Sequence, residues 1–156
     1  MADALRQPRR PRNGERPLTS AAKARQLRVF LSYQMEDAAR GDDFVRDVAC
    51  RAPMVRFLDY PVTGAFDGNW KEQCTELIRS CAGTIVLIGY TTFQSKPVAW
   101  EIAETSRRAL PLIGVRLFTA DKTETPIGLD AAWLMPRSDL HSIVHRLQTW
   151  DPGRET

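Results

Sequence analysis

The sequence predicts an α/β domain, a central parallel sheet with helices on both faces, and three observations predict it. Short apolar runs of strand length alternate with longer segments of helical periodicity, the pattern of strands joined by crossover helices. The run at residues 84–88 is uninterruptedly apolar after its first threonine, as a strand covered on both sides should be. The chain has 156 residues, 43% hydrophobic and 26% charged, enough for one domain with a real core and little more.

Residues 27–32, Leu-Arg-Val-Phe-Leu-Ser, follow a charged leader and read as the first strand. Phe44, Val45, Val48 and Ala49 recur at helical spacing, which predicts a helix over 42–51 closed by Pro53. A second strand is predicted at 55–58, ending at Asp59. Pro61, Gly64, Asp67 and Gly68 make 60–69 a loop. Trp70, Cys74, Leu77, Ile78 and Cys81 form one stripe of a helix over 70–81, ended by Gly83. The third strand follows at 84–88. Ser95 and Pro97 open a helix that is predicted to run to about Ala109, before Pro111. Residues 112–117 are a fourth strand, 118–137 read as irregular, and 138–150 is a final amphipathic helix. The expected division is therefore a disordered basic leader at 1–26, the α/β domain at 27–150 and a short tail at 151–156.

Charge separates the leader from the body. The formal charge is +3, with 22 Lys plus Arg against 19 Asp plus Glu. Residues 1–28 hold eight of the basic groups and two of the acidic ones, so the remainder is net negative. Basicity thus argues for an arm or a solubilising tail, and nucleic acid is not the expected partner of the domain. Cys50, Cys74 and Cys81 are odd in number and show no CxxC spacing, which suits a reducing compartment better than disulfides or zinc. No stretch has the length to span a bilayer and none resembles a secretory signal. Cytoplasmic location, with no membrane association, is the expectation.

Parallel sheets of this kind place ligands at the carboxyl ends of their strands, near the switch in strand order. That rule selects Ser32-Tyr33-Gln34, Asp59 onward, Tyr90-Thr91-Thr92 and the start of the helix at Pro97. GxGxxG and GxxxxGK[ST] are absent, which excludes the usual dinucleotide fingerprint and a P-loop. His141 and His145 stand four apart but lack a third ligand at metal spacing, so no metal is expected and they read as surface residues. On the helix after Pro97, Val98, Ile102, Thr105 and Ala109 form the inward stripe. Glu101 falls off it in about the first turn, where the helix dipole favours the ionised form by a few tenths to ~1 kcal/mol. A carboxylate there could stabilise a developing cation. It could equally be an ordinary first-turn acid, with Glu104 pairing to Arg108.

Several segments carry a family resemblance together. They are 28–33 (Arg-Val-Phe-Leu-Ser-Tyr), 57–59 (Phe-Leu-Asp), Trp70, 85–89 with Thr91-Thr92-Phe93, Val98-Ala99-Trp100-Glu101-Ile102, and 111–115. In this order they resemble the TIR-like domain of bacterial Thoeris antiphage systems, the ThsB type, over roughly residues 27–118. The resemblance implies a flavodoxin-like fold. It also implies cleavage of the nicotinamide–ribose bond of NAD, here a substrate and not a cofactor, and an ADP-ribose signal, often cyclic, that activates a separate nucleotide-sensing effector. Carried over by position, Glu101 is the catalytic glutamate. Phe30, Ser32, Tyr33 and Asp59 line the nucleotide pocket, with Trp70, Tyr90 and Thr92 beside them and Trp100 packing behind Glu101. A phage-derived trigger and homo-oligomeric assembly go with this reading. The competing expectation is a non-catalytic TIR-like interaction module working through its helices and the 60–69 loop. A nucleic-acid binder acting through the leader ranks third.

Overall fold

A computed structural model describes residues 26–59, 68–119 and 123–152. The predicted leader, apart from Gln26, and most of the predicted loop at 60–69 lie outside the described residues, as do the last four residues of the tail. Five strands are described, β1 Leu27–Ser32, β2 Val55–Leu58, β3 Gly83–Ile88, β4 Leu112–Arg116 and β5 Leu134–Pro136. The helices are α1 Ala38–Arg51, α2 Trp70–Arg79, α3 Lys96–Arg107 and α4 Leu140–Gln148. All strand pairs are parallel and their order is β2-β1-β3-β4-β5. The order reverses between β1 and β3, so the ligand crevice expected of such a sheet lies above those two strand ends.

Alternating side chains divide the core into two layers. Val29, Leu31, Ile85, Leu87, Ile113 and Val115 meet Phe44, Val45 and Val48 of α1 and Ile143, Val144 and Leu147 of α4. On the opposite face Phe30 packs with Cys74 and Ile78 of α2, while Val86 and Ile88 pack with Val98 and Ile102 of α3. Each fully buried large apolar side chain contributes about 1.5–3 kcal/mol relative to an exposed one. Both layers are anchored on β1 and β3, the two strands that flank the crevice.

Three departures from the sequence reading have physical causes. α1 begins at Ala38, not 42, after a 3-10 turn at Met35–Asp37; apolar periodicity marks only the turns that touch the core. α3 ends at Arg107, and Ala109 takes a left-handed conformation at φ 55°, which turns the chain into β4. The stretch at 118–137, read as irregular, contains β5 as well as a 3-10 turn at Ala131–Trp133. β5 has three residues, none fully buried, and its conformation comes from pairing with β4 through Gly114↔Leu134. No helix among the described residues is long and apolar enough to cross a membrane.

Candidate active site

α3 is set by its amino-terminal cap. Ser95 Oγ accepts from the Val98 backbone N–H at 3.2 Å, and Pro97 occupies the first turn. One side of the helix is then pinned to the sheet. The Thr105 hydroxyl donates to the Glu101 carbonyl at 2.9 Å and lies 2.8 Å from the Thr84 hydroxyl on β3. With the phase fixed, Glu101 points inward and is only 3% exposed. The expected first-turn surface acid is therefore corrected: Glu101 is the sixth residue of α3, in its second turn, and shares the buried side with Val98 and Ile102.

Burial reverses the expected charge state as well. Desolvation raises the Glu101 pKa to about 8, the nearby Asp59 carboxylate adds to the rise, and the Ser32 hydroxyl opposes both. A carboxyl one to two turns into a helix gains little from the dipole, which fades within the first turn. Ser32 reaches this point because it is the last residue of β1 and alternation places it on the same face as Phe30. Glu101 Oε2 and Ser32 Oγ are both buried and neither makes a well-formed hydrogen bond, although the hydroxyl lies close enough to the carboxyl to favour its ionised form. Native folds leave few such atoms, and of the five among the described residues, with Asp37 Oδ2, Arg56 Nε and Thr123 Oγ1 the others, these two act on each other at the end of β1.

The remaining walls are aromatic and acidic. Trp70, first residue of α2, meets Trp100 of α3 edge to face at 5.1 Å between centroids, a contact worth about 0.5–1.5 kcal/mol beyond its area. Both indoles are half-buried around the Phe30 cluster. Asp59, just past β2, accepts a hydrogen bond of 2.5 Å from the Tyr33 hydroxyl. Cys74 of α2 is fully buried, and its thiol is pushed up first by burial and then by Glu101 and Glu104. It is held neutral, which removes it as a nucleophile.

A parallel sheet in the order 2-1-3-4-5, with a glutamate buried at the end of the crevice, is the frame on which the sequence comparison can be read. Residues 30–122, more than half of the chain, match the family described as Thoeris protein ThsB, TIR-like domain. The chain belongs to this ThsB-type TIR-like family. Among solved structures, the TIR domain of the Toll-related receptor TRR-2 from Hydra magnipapillata is similar in fold, with a TM-score of 0.57 at 14% identity. The match covers 78% of this chain and 98% of that one. No curated protein matches the chain.

In this ThsB-type domain the predicted site residues fall into two groups. Ser32 and Asp59 interact with Glu101, and Tyr33 reaches the same place through Asp59. Trp70 and Trp100 stand together beside the Phe30 cluster. Phe30 itself is fully buried beneath them, in the core against Cys74 and Ile78. The other group sits over the β3 end. Tyr90 is 56% exposed and its ring stacks on Phe118 at 4.1 Å and 10°, with the Arg40 guanidinium behind Phe118. Thr92 is buried and accepts from the Gly89 N–H at 2.7 Å, which shapes the turn.

Asp37 was missed by the sequence reading. It is 2% exposed, its Oδ2 has no partner, and burial together with Glu36 raises its pKa against the pull of Arg40. The carboxyl lies so close over Gly89 that a Cβ there would collide with it. Glycine at 89 is thus required by a close approach, and the two ends of β1 and β3 are locked through it. Gln34 Nε2 donates to the Thr91 carbonyl at 2.6 Å, and the Thr91 hydroxyl donates to Glu36. The one sequence signal for Asp37 was an acid just ahead of a helix on the crevice rim. His141 and His145 are exposed on α4, and no group of metal-ligating side chains occurs among the described residues.

Proposed function

We propose that this ThsB-type TIR-like domain cleaves the nicotinamide–ribose bond of NAD, with Glu101 as the catalytic carboxylate. The observation that carries the proposal is the buried pair Glu101 Oε2 and Ser32 Oγ at the carboxyl end of β1, close to each other and neither in a well-formed hydrogen bond. Two such atoms suit the adjacent hydroxyls of a ribose, which would satisfy both. Family membership supports the choice of NAD, and the sheet's switch point supports the choice of place.

The bond broken joins the ribose anomeric carbon to a pyridinium nitrogen that already carries positive charge. On cleavage the bonding pair returns to the nitrogen, neutral nicotinamide leaves, and the charge passes to the ribose as an oxocarbenium ion. No general acid is needed. One ionised carboxylate near the sugar stabilises that cation. Attack on the anomeric carbon by a group of the same ADP-ribose closes a ring, and attack by water gives ADP-ribose. The cyclic product is the proposed signal, read by a separate effector in antiphage defence. Loss of the Glu101 charge would raise the barrier by on the order of 3–4 kcal/mol.

Burial pushes the Glu101 pKa up to about 8, which favours the protonated form in the free domain. Entry of a cationic substrate favours its ionisation, and activity is expected to climb with pH up to about that value. The test is nicotinamide release from NAD, with the protein alone and with lysate of phage-infected cells, and mass spectrometry of the nucleotide product. Wild type should release nicotinamide and a folded Glu101→Gln variant should not. Equal rates would dismiss the assignment. The alternative, a non-catalytic interaction module, is favoured by one observation, the near-complete burial of Glu101. It predicts no release under any activating condition and complex formation indifferent to Glu101→Gln.

A further inference from the structure

We propose that Tyr33 is a positioning residue for the Glu101 pocket: its hydroxyl clamps the Asp59 carboxylate and holds it back from direct contact with Glu101. The proposal rests on the reading of Glu101 as the catalytic carboxylate, since only an acid that must ionise in a dry pocket needs protection from a second one.

The geometry begins with the last residue of β1, Ser32, and the residue that follows it, Tyr33. Ser32 and Tyr33 leave the strand end in opposite directions. Ser32 goes to the α2 and α3 side, where Glu101 lies. Tyr33 packs its ring with the cluster on the α1 and α4 side. From there its hydroxyl donates to Asp59 Oδ2 at 2.5 Å. β1 and β2 are neighbours with Phe30 opposite Leu58, so Asp59 leaves β2 beside the end of β1. The bond ties its carboxylate back toward the tyrosine, whose ring packs on the sheet face opposite the one that buries Glu101. No cation is paired with either Asp59 or Glu101 among the described residues.

The other groups that face Glu101 carry no free charge. From α2 comes Cys74, whose thiol is held neutral by burial. From α3 comes Glu104, engaged by Arg107 and Arg108. From β1 comes the Ser32 hydroxyl. Asp59 is the remaining acid, and it already makes Glu101 harder to ionise. Two carboxyls allowed into contact away from water share one proton, and the upper of their two titration steps rises sharply. Released from Tyr33, Asp59 could make that contact, and the proton would sit where the catalytic charge is needed.

Carbon-13 NMR of the carboxyl groups in the full-length chain, without NAD, tests this, with Glu101→Gln used to assign the Glu101 signal. The two single variants should move its midpoint in opposite directions. Asp59→Asn should lower it by about one pH unit. Tyr33→Phe should raise it by about half a unit or more. The double variant should match Asp59→Asn, because the clamp as proposed influences Glu101 by way of Asp59. The pH profile of nicotinamide release should shift with the same signs. An unchanged or lowered midpoint in Tyr33→Phe overturns the clamp, as does a double variant displaced from Asp59→Asn. If Tyr33→Phe melts at a lower temperature and fails to give a folded spectrum, Tyr33→Leu, which keeps an apolar side chain and no donor, takes its place under the same criteria. Titrations that behave as expected without any nicotinamide release would leave the clamp standing and remove the enzymatic reading. Normal release with unshifted midpoints would do the reverse.

Discussion

Glu101 and Glu104 lie three residues apart on one helix, are 3% and 4% exposed, and carry opposite electrostatics. Burial pushes both toward the protonated form. At Glu104 hydrogen bonds from Arg107, at 2.6 and 2.8 Å, and from Arg108, at 2.8 Å, outweigh it and hold the carboxyl below the usual range. At Glu101 no cation answers among the described residues, and the pKa climbs to about 8. The difference teaches that burial alone does not decide a carboxylate's charge. Its partners do, and a buried acid left without them is available to a ligand.

The largest way to break the comparison is to remove the unpaired member. Glu101→Gln should lower nicotinamide release by about 10²–10³-fold, measured on protein whose melting curve shows it folded. Stability should respond next. Because the folded-state pKa of Glu101 is raised, the folded chain binds a proton more tightly than the unfolded one. Its contribution is complete below the unfolded value of about 4.5 and is lost as pH rises to about 8. Urea unfolding of wild type should therefore weaken over that window relative to Glu101→Gln, by about 2–4 kcal/mol. Glu104 has the opposite sign, since its lowered pKa stabilises the fold above the unfolded value and fails as pH falls.

Removing the paired member should be milder for chemistry and visible in stability. Glu104→Ala leaves Arg108 without its partner and is expected to lose about 1–3 kcal/mol in urea titration, the exposed Arg107 contributing little. Cleavage of NAD should survive it within a few-fold. The smallest effect sharpens the comparison from the far end of the helix. Ala109 sits at φ 55° just after α3, so Ala109→Gly should stabilise by about 0.5–1 kcal/mol. It should leave the Glu101 titration where it is.

Much of the fold was legible because it depends on local pattern. The apolar runs at 27–32 and 55–58 became β1 and β2 with the same bounds. The Trp70 stripe became α2, and Ser95 with Pro97 announced the start of α3. β5 was not legible, since two half-buried residues and an exposed proline acquire strand geometry only from β4 alongside. In the candidate site, Ser32, Asp59 and Glu101 could be named from their places at strand ends and a family resemblance. The inward turn of Glu101 could not, because its stripe looked complete with Val98, Ile102 and Thr105. Asp37 was hidden for a related reason, as nothing local reveals that a glycine 52 positions later would accept its carboxyl.

By itself, then, the sequence determined the alternation of strands and helices, the helix cap at Ser95 and the residues available to the crevice. These follow from side-chain periodicity and backbone preference, which act over a few neighbours. The pairing of Glu104 with Arg108 belongs to the same local level, being an i,i+4 contact, and only the tertiary structure decided that Glu101 turns into the core to meet Ser32 and Asp59 instead of a cation. That is a matter of desolvation and charge contact, and both are properties of what folding brings near and of the water it removes.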